Sequence, residues 1–263
     1  MSVGLEILDT GAAAATRETP LLFVHGTSHG AWCWEEHFLR YFADRGYRAA
    51  AVNLRGHGGS PLGTTLRGVS LADFADDLRT AVRALGVAPV LIGHSLGGFV
   101  IARYLERHDV PGAVLLASAP PHGSWGTLSR AVRHQPGVMG KTVLRGRLAP
   151  DFSAPELARR WFFSPDLPQE LVARYAARLQ EESDRALLDC LFGRPARPRR
   201  SIPMLVLAAG DDFVFSPRET AATARAYRAD WQLIPNLAHD AMLDTRWPAA
   251  ADAVRRWLQR HRF

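Results

Sequence analysis

The chain has 263 residues, enough to bury a sizeable core as one α/β domain carrying an insertion. Hydrophobic residues make up 47% and charged residues 22%, which argues against disorder, and no apolar run is long enough to cross a bilayer. The net charge of +6 comes almost wholly from arginine, Lys141 being the only lysine. The single dense basic run, Arg194 to Arg200, lacks interleaved aromatics and sits where a proline-rich linker is needed, so nucleic-acid binding is not expected.

The opening residues lack a basic segment followed by an apolar one, which predicts no secretory signal and a cytoplasmic location. Leu5 to Asp9 alternates like an edge strand, and Leu21 to Val24 reads as a buried parallel strand ending in His25-Gly26. Trp34, Phe38, Tyr41 and Phe42 recur at helical spacing, predicting one helix from about Cys33 to Asp44 that Gly46 ends. A strand over 48–53 and a glycine-rich loop over 54–61 follow. Ser70 with Asp73 resembles a capping box at the head of a helix whose apolar stripe is Leu71, Phe74, Leu78, Val82 and Leu85. Val90 to His94 is the next strand, 96–104 the next helix and 112–118 another strand.

Strands alternating with helices at this spacing predict a doubly wound, mostly parallel sheet with its working loops at the strands' carboxyl ends. From 119 to 200 the rhythm changes to amphipathic helical segments, including 156–163, 169–179 and 184–192, which read as an inserted helical lid. The sheet resumes with Met204 to Ala209, a helix over 217–227, the strand Trp231 to Ile234 and a final helix. The expected organisation is therefore an α/β core of residues 1–118 and 201–263 with a lid of 119–200. Cys33 and Cys190 fall in different layers, which predicts free thiols.

The chain's chemistry is organised around Gly93-His94-Ser95-Leu96-Gly97. Between a strand and a helix, this G-x-S-x-G pattern has the form of a nucleophile elbow, in which small neighbours let the serine occupy a strained conformation with its hydroxyl exposed. The Leu96 N–H then points at any oxyanion formed when Ser95 attacks a carbonyl. A serine hydroxyl needs a histidine base, and the histidine an acid to fix its tautomer. Of the ten histidines, His239 alone lies between the last strand and the last helix. Two aspartates, Asp211 and Asp212, follow the preceding strand.

The order Ser, Asp, His resembles that of α/β-hydrolases, over residues of about 20–118 and 202–261. That resemblance implies Asp212 as the acid, because Asp212-Phe213-Val214-Phe215 fits the family's spacing; Asp211 is the alternative acid, or else a turn residue accepting backbone hydrogen bonds. It also implies the Thr27 N–H as second oxyanion donor, with Gly26 permitting close backbone approach. The segment His25 to Trp34 is similar to that of plant methyl esterases and hydroxynitrile lyases. The lyases place a lysine after the catalytic histidine and alter the His-Gly dipeptide, whereas Asp240 follows His239 here and Gly26 is retained. Relatives that use an aspartate nucleophile are disfavoured, because residue 95 is serine.

His94 is expected to be structural, its ring projecting away from the side of Ser95. His25 and His57 read as loop-fixing hydrogen-bond donors rather than metal ligands. His29 lines the pocket mouth or faces water. Trp125, Trp161, Phe162 and Phe163 are candidate substrate contacts, with packing of lid on core as their alternative. The expected function is a serine hydrolase cleaving carboxylic esters of small to medium, hydrophobic substrates through an acyl-enzyme, with no metal or organic cofactor. The same residues also suit a lactonase, thioesterase, carbon–carbon hydrolase or perhydrolase, because the pocket chooses the substrate. A ligand-sensing receptor with little turnover is the alternative of another class.

Overall fold

The computed structural model describes residues 4–13, 15–63, 65–193 and 198–263. Residues 194–197 of the basic run, and the first three of the chain, lie outside the described residues. In chain order the elements are β1 (Ile7–Asp9), β2 (Leu21–Val24), α1 (Trp32–Glu35), α2 (Phe38–Ala43), β3 (Ala49–Val52), α3 (Leu71–Leu85), β4 (Val90–His94), α4 (Leu96–Leu105) and β5 (Ala113–Leu116). There follow α5 (Trp125–His134), α6 (Pro136–Leu144), α7 (Pro155–Phe162), α8 (Gln169–Ala176) and α9 (Asp184–Leu191), then β6 (Met204–Ala209), α10 (Pro217–Tyr227), β7 (Asp230–Ile234) and α11 (Trp247–Arg260).

The seven strands form one sheet in the order β1-β3-β2-β4-β5-β6-β7; β1 is antiparallel to β3 and every other pairing is parallel. This is the doubly wound, mostly parallel sheet that the alternation predicts. Every residue of β2, β3, β4, β5 and β6 is buried, which explains their unbroken apolar sequences: helices cover both faces, so no residue alternates toward water. Because β2, β4, β6 and β7 run parallel, the loops carrying Thr27, Ser95, Asp212 and His239 all leave from one rim. β2 passes to β3 on one side and pairs with β4 on the other, so the order reverses between β2 and β4, where a crevice opens beside their carboxyl ends.

The capping box at Ser70 is present in full, and Ser216 with Glu219 forms a second at the head of α10. The single helix expected over 33–44 is instead two, α1 and α2. The break is at His37, whose φ of −141° and ψ of −50° are not helical. Its ring stacks on Trp247 at 4.5 Å, and the bend brings both Trp34 and Phe38 against Phe23 of β2. Periodicity cannot register such a break, since both pieces continue the same apolar face. Within 119–200 the structure adds α5 and α6, which the sequence did not separate from loop. Cys33 and Cys190 are buried free thiols. Among the described residues, no helix is long and apolar enough to cross a membrane.

Candidate active site

Ser95 stands between β4 and α4 with φ 52° and ψ −118°, a conformation that costs a non-glycine residue about 1–3 kcal/mol. Its neighbours over-determine it. The Ser95 N–H donates to the Leu116 carbonyl at 3.1 Å, and its own carbonyl accepts from Gly98 and Ala119 at 3.1 and 3.2 Å. The glycines make that turn possible: a Cβ on Gly93 would meet the Gly97 carbonyl oxygen at 2.6 Å, and one on Gly97 the carbonyl oxygens of Val24 and His25 at 2.4 Å.

His239 reaches Ser95 from the loop after β7. Its Nε2 lies 3.1 Å from Ser95 Oγ, and its Nδ1 lies 3.0 and 2.9 Å from the two carboxylate oxygens of Asp212. Asp212 is itself fixed, since its Oδ1 accepts the amides of Val214 at 2.7 Å and Phe215 at 2.9 Å. Asp211 is exposed and donates its backbone N–H to the Leu237 carbonyl; among the described residues its carboxylate accepts no backbone hydrogen bond, so it does not take the accepting turn role of the alternative reading. With a carboxylate on Nδ1, the imidazole carries its proton there and leaves Nε2 as acceptor for the Ser95 hydroxyl.

Thr27 and Leu96 both border the same cavity as Ser95 and His239. Among the described residues neither amide N–H is engaged in a hydrogen bond, and Leu96 opens α4, where the helix dipole favours negative charge. A Cβ on Gly26 would meet His94 Nδ1 at 2.7 Å and Ser95 Cβ at 2.9 Å, so only glycine lets this loop come so close to the elbow.

The cavity holds about 370 Å³ and its walls are largely apolar, including Leu128, Met139, Leu148, Trp161, Phe162 and Leu191. A larger groove of about 680 Å³ lies between α3, α4 and α9, but it borders none of Ser95, Asp212 or His239 and has charged walls. Of the aromatic candidates, Trp161 and Phe162 line the cavity beside Ser95 and His239, with Phe162 5.9 Å from the His239 ring. Trp125 and Phe163 do not line it. Trp125 is half exposed and packs edge-on against Phe192. Phe163 falls just past the end of α7 in extended backbone, which swings its ring toward Tyr175.

His94 differs from expectation. Alternation along β4 predicts a ring pointing away from Ser95, but the positive φ of Ser95 ends the alternation there, and the His94 ring lies 4.7 Å from that of His239 on the cavity wall. Its Nε2–H donates to the His239 carbonyl at 3.0 Å, a structural bond that anchors the loop. Burial, and then the proximity of His239, lower its pKa to about 3, so it is neutral. His25 and His57 do fix loops. His25 Nε2 accepts from Leu54 at 3.2 Å, and His57 Nδ1 donates to the Arg55 carbonyl at 3.2 Å.

Sequence reasoning missed the acidic partners of these histidines. His29 does border the cavity, but it is 1% exposed and paired with the fully buried Asp240 at 2.9 Å. Glu182, from the inserted segment, is buried 3.5 Å from His57 and accepts the Ser28 N–H at 3.2 Å. The signal available was Asp240 itself, a carboxylate beside His239 in an otherwise apolar run. The donor atoms of His94, His239 and Asp240 lie within 4.8 Å of one another, a spacing that suits a metal ion. The set does not fit one, because both His239 nitrogens are taken by Asp212 and Ser95, which leaves His94 and Asp240 alone, short of the three protein ligands such a site needs.

Curated relatives align over part of the chain. It is 37% identical over 135 residues to a probable esterase, PIR7A, of Oryza sativa subsp. indica, covering 50% of this chain and 47% of that one. It is 38% identical over 106 residues to the non-heme chloroperoxidase CPO-A1 of Kitasatospora aureofaciens, covering 39% and 38%. The chain thus matches about half or less of these relatives' length. Among solved structures, a putative non-heme bromoperoxidase, BpoC, of Mycobacterium tuberculosis has a TM-score of 0.78 at 21% identity over 99% of this chain and 97% of that one. A thermophilic esterase from Thermogutta terrifontis has a TM-score of 0.74 at 23% identity, over 98% and 93%. The sequence profile of the alpha/beta hydrolase family matches residues 21–254, nearly the whole chain, so the protein belongs to that family.

Proposed function

We propose that this protein is a serine hydrolase that cleaves carboxylic esters of apolar, small to medium substrates through an acyl-enzyme. The observation that carries the proposal is the unbroken chain of hydrogen bonds from Ser95 Oγ through His239 to Asp212, at the floor of an apolar cavity. Ser95 Oγ attacks the ester carbonyl as His239 Nε2 takes its proton, and Asp212 stabilises the imidazolium that forms. The carbonyl oxygen, now carrying the negative charge, sits between the Thr27 and Leu96 amides. Collapse of this intermediate expels the alcohol, which receives the proton from His239. A water molecule deprotonated by His239 then attacks the acyl carbon, and the carboxylic acid leaves as Ser95 recovers its proton. These steps draw on no metal or organic cofactor.

In this reading residues 119–200 act as a lid, with Leu148, Trp161 and Phe162 covering the acyl chain. The cavity volume of about 370 Å³ suits a ligand of small to medium size. The test is an acyl-chain series of nitrophenyl esters with wild type and Ser95→Ala. Many turnovers by wild type and none above background by the variant support the proposal. A stoichiometric adduct without turnover would favour a ligand-sensing receptor instead.

Perhydrolysis is a second reading, favoured by relatives named as haloperoxidases and by a bifunctional esterase/perhydrolase of Acinetobacter calcoaceticus, 36% identical over 110 residues. There hydrogen peroxide replaces water in the second attack and a peracid leaves. Adding peroxide to the ester assay and measuring iodide oxidation separates the two.

A further inference from the structure

The oxyanion loop is held by an ion pair that the triad does not use. His29 Nδ1 lies 2.7 Å from the Thr27 carbonyl oxygen, and its Nε2 lies 2.9 Å from Asp240 Oδ2. Both partners are acceptors. Each ring nitrogen therefore carries a proton, and the buried ring is an imidazolium opposite a buried carboxylate. The pair is enclosed: Trp32 stacks on one face of His29 at 5.5 Å, and Phe162 meets it edge-on at 5.8 Å. The Phe162 carbonyl accepts the Asp240 N–H at 3.0 Å, and among the described residues the other carboxylate oxygen of Asp240 has no hydrogen-bond partner. Burying both charges is costly, and the contact this pair holds in place is the one from His29 Nδ1 to the Thr27 carbonyl.

We propose that His29 is a positioning residue for the Thr27 amide, clamping the Thr27 carbonyl as an imidazolium held by Asp240, so that the second oxyanion donor is preorganised. The proposal rests on the serine hydrolase reading above. When His29 loses a proton, the one that remains stays on Nε2 opposite the charged Asp240, so the bond given up is the one from Nδ1 to the Thr27 carbonyl and the clamp fails on the alkaline side.

The groups facing His29 decide where that happens. Burial opposes the charge on His29, but Asp240, and more distantly Glu182, outweigh it and raise its pKa. Burial likewise opposes ionisation of Asp240, and the charge on His29 keeps its carboxyl below the usual range. His94, edge-on to His29 at 6.1 Å, is neutral. His25 is likewise kept neutral, by burial and by His57, and burial raises the Cys33 thiol well above its ordinary range. His57 is paired with Glu182, His239 with Asp212, and the Arg178 guanidinium lies beyond Trp32.

The experiment measures kcat and KM for nitrophenyl butyrate from pH 6 to 10 in wild type, His29→Gln and Asp240→Asn, alongside proton NMR of the ring N–H signals. His29→Gln is expected to lower kcat about tenfold with KM changed less than about threefold, because an oxyanion donor acts in the transition state. Asp240→Asn keeps an acceptor for His29 but removes the charge, so its alkaline limb moves down by about one pH unit or more. The wild-type spectrum is expected to hold two low-field N–H signals that vanish together in His29→Gln.

A single His29 N–H at neutral pH, or an Asp240→Asn profile that superimposes on wild type, would overturn the proposal. The wild-type spectrum decides the question if either variant fails to fold. If Ser95→Ala retains turnover while both ring protons are present, the ester-cleaving reading has failed and the His29–Asp240 pair stands.

Discussion

A Cβ on Gly26 would stand 2.9 Å from the Cβ of Ser95, closer than real Cβ atoms approach one another. This contact sets the distance between the two loops whose amides flank the cavity. Gly26→Ala forces the Thr27 loop off the elbow, into buried groups that cannot yield cheaply. We expect kcat to fall about 100-fold, the effect of losing an oxyanion donor, with a drop in melting temperature of only a few degrees. Ester kinetics beside thermal unfolding by circular dichroism check this. Equal losses of activity and fold would mean that Gly26 serves packing alone.

Asp212 and Asp211 are adjacent yet differ in setting, the first buried against His239 and the second exposed. Asp212→Asn leaves a hydrogen-bonding side chain but offers His239 Nδ1 an amide that favours the wrong tautomer, and kcat is expected to fall about 10⁴-fold. Asp211→Asn, which alters an exposed side chain, should stay within a few-fold of wild type. Reversal of these two results would reassign the acid.

The fold, and the placement of the three candidate site residues on one rim, were legible in the sequence for a physical reason. Buried parallel strands read as unbroken apolar runs, and Ser95 and Asp212 sit just past two of them, while His239 follows the largely exposed edge strand β7 and is placed by its position between the last strand and the last helix, so knowing the strands places the residues on one rim. What escaped depends on side-chain direction. The position of His94 follows from one backbone angle at Ser95, and the pairing of His29 with Asp240 spans 211 residues with no shared periodicity. The break at His37 and the turning of Phe163 toward Tyr175 occur at helix ends, where spacing gives no direction.

Acid should weaken the fold before most carboxylates titrate. His94 binds a proton near pH 6.5 when unfolded but only at about pH 3 when folded, and His25 is also held well below its ordinary value. Between those values the unfolded chain holds more protons, so stability falls as pH falls below about 6.5, by up to about 1.4 kcal/mol per pH unit for each histidine. The His29–Asp240 pair has other windows: the raised pKa of His29 loses its contribution as pH rises, and the lowered pKa of Asp240 loses its own only in stronger acid. Urea unfolding at pH 7, 6 and 5 checks the slope, to which His37 and His108 add with their own lowered pKa values, and His94→Gln, which can still donate to the His239 carbonyl, should make it measurably shallower. An unchanged slope in that variant would show that His94 is not buried neutral.

Phe162 and Trp125 should separate cleanly. Phe162→Ala enlarges the cavity beside His239, so the preferred acyl chain should lengthen by roughly two to four carbons, at a stability cost of about 3–5 kcal/mol typical of a buried phenylalanine. Trp125→Ala, at a half-exposed position outside the cavity, should leave the chain-length profile as it is. Ester series for the two variants provide the comparison.

The most direct test of the account is mass spectrometry after treatment with a fluorophosphonate, on wild type and Ser95→Ala. One adduct per wild-type chain, mapped to the peptide containing Ser95 and absent from the variant, is the predicted result. An adduct that persists in Ser95→Ala, or a wild-type chain that takes up none while correctly folded, would contradict it.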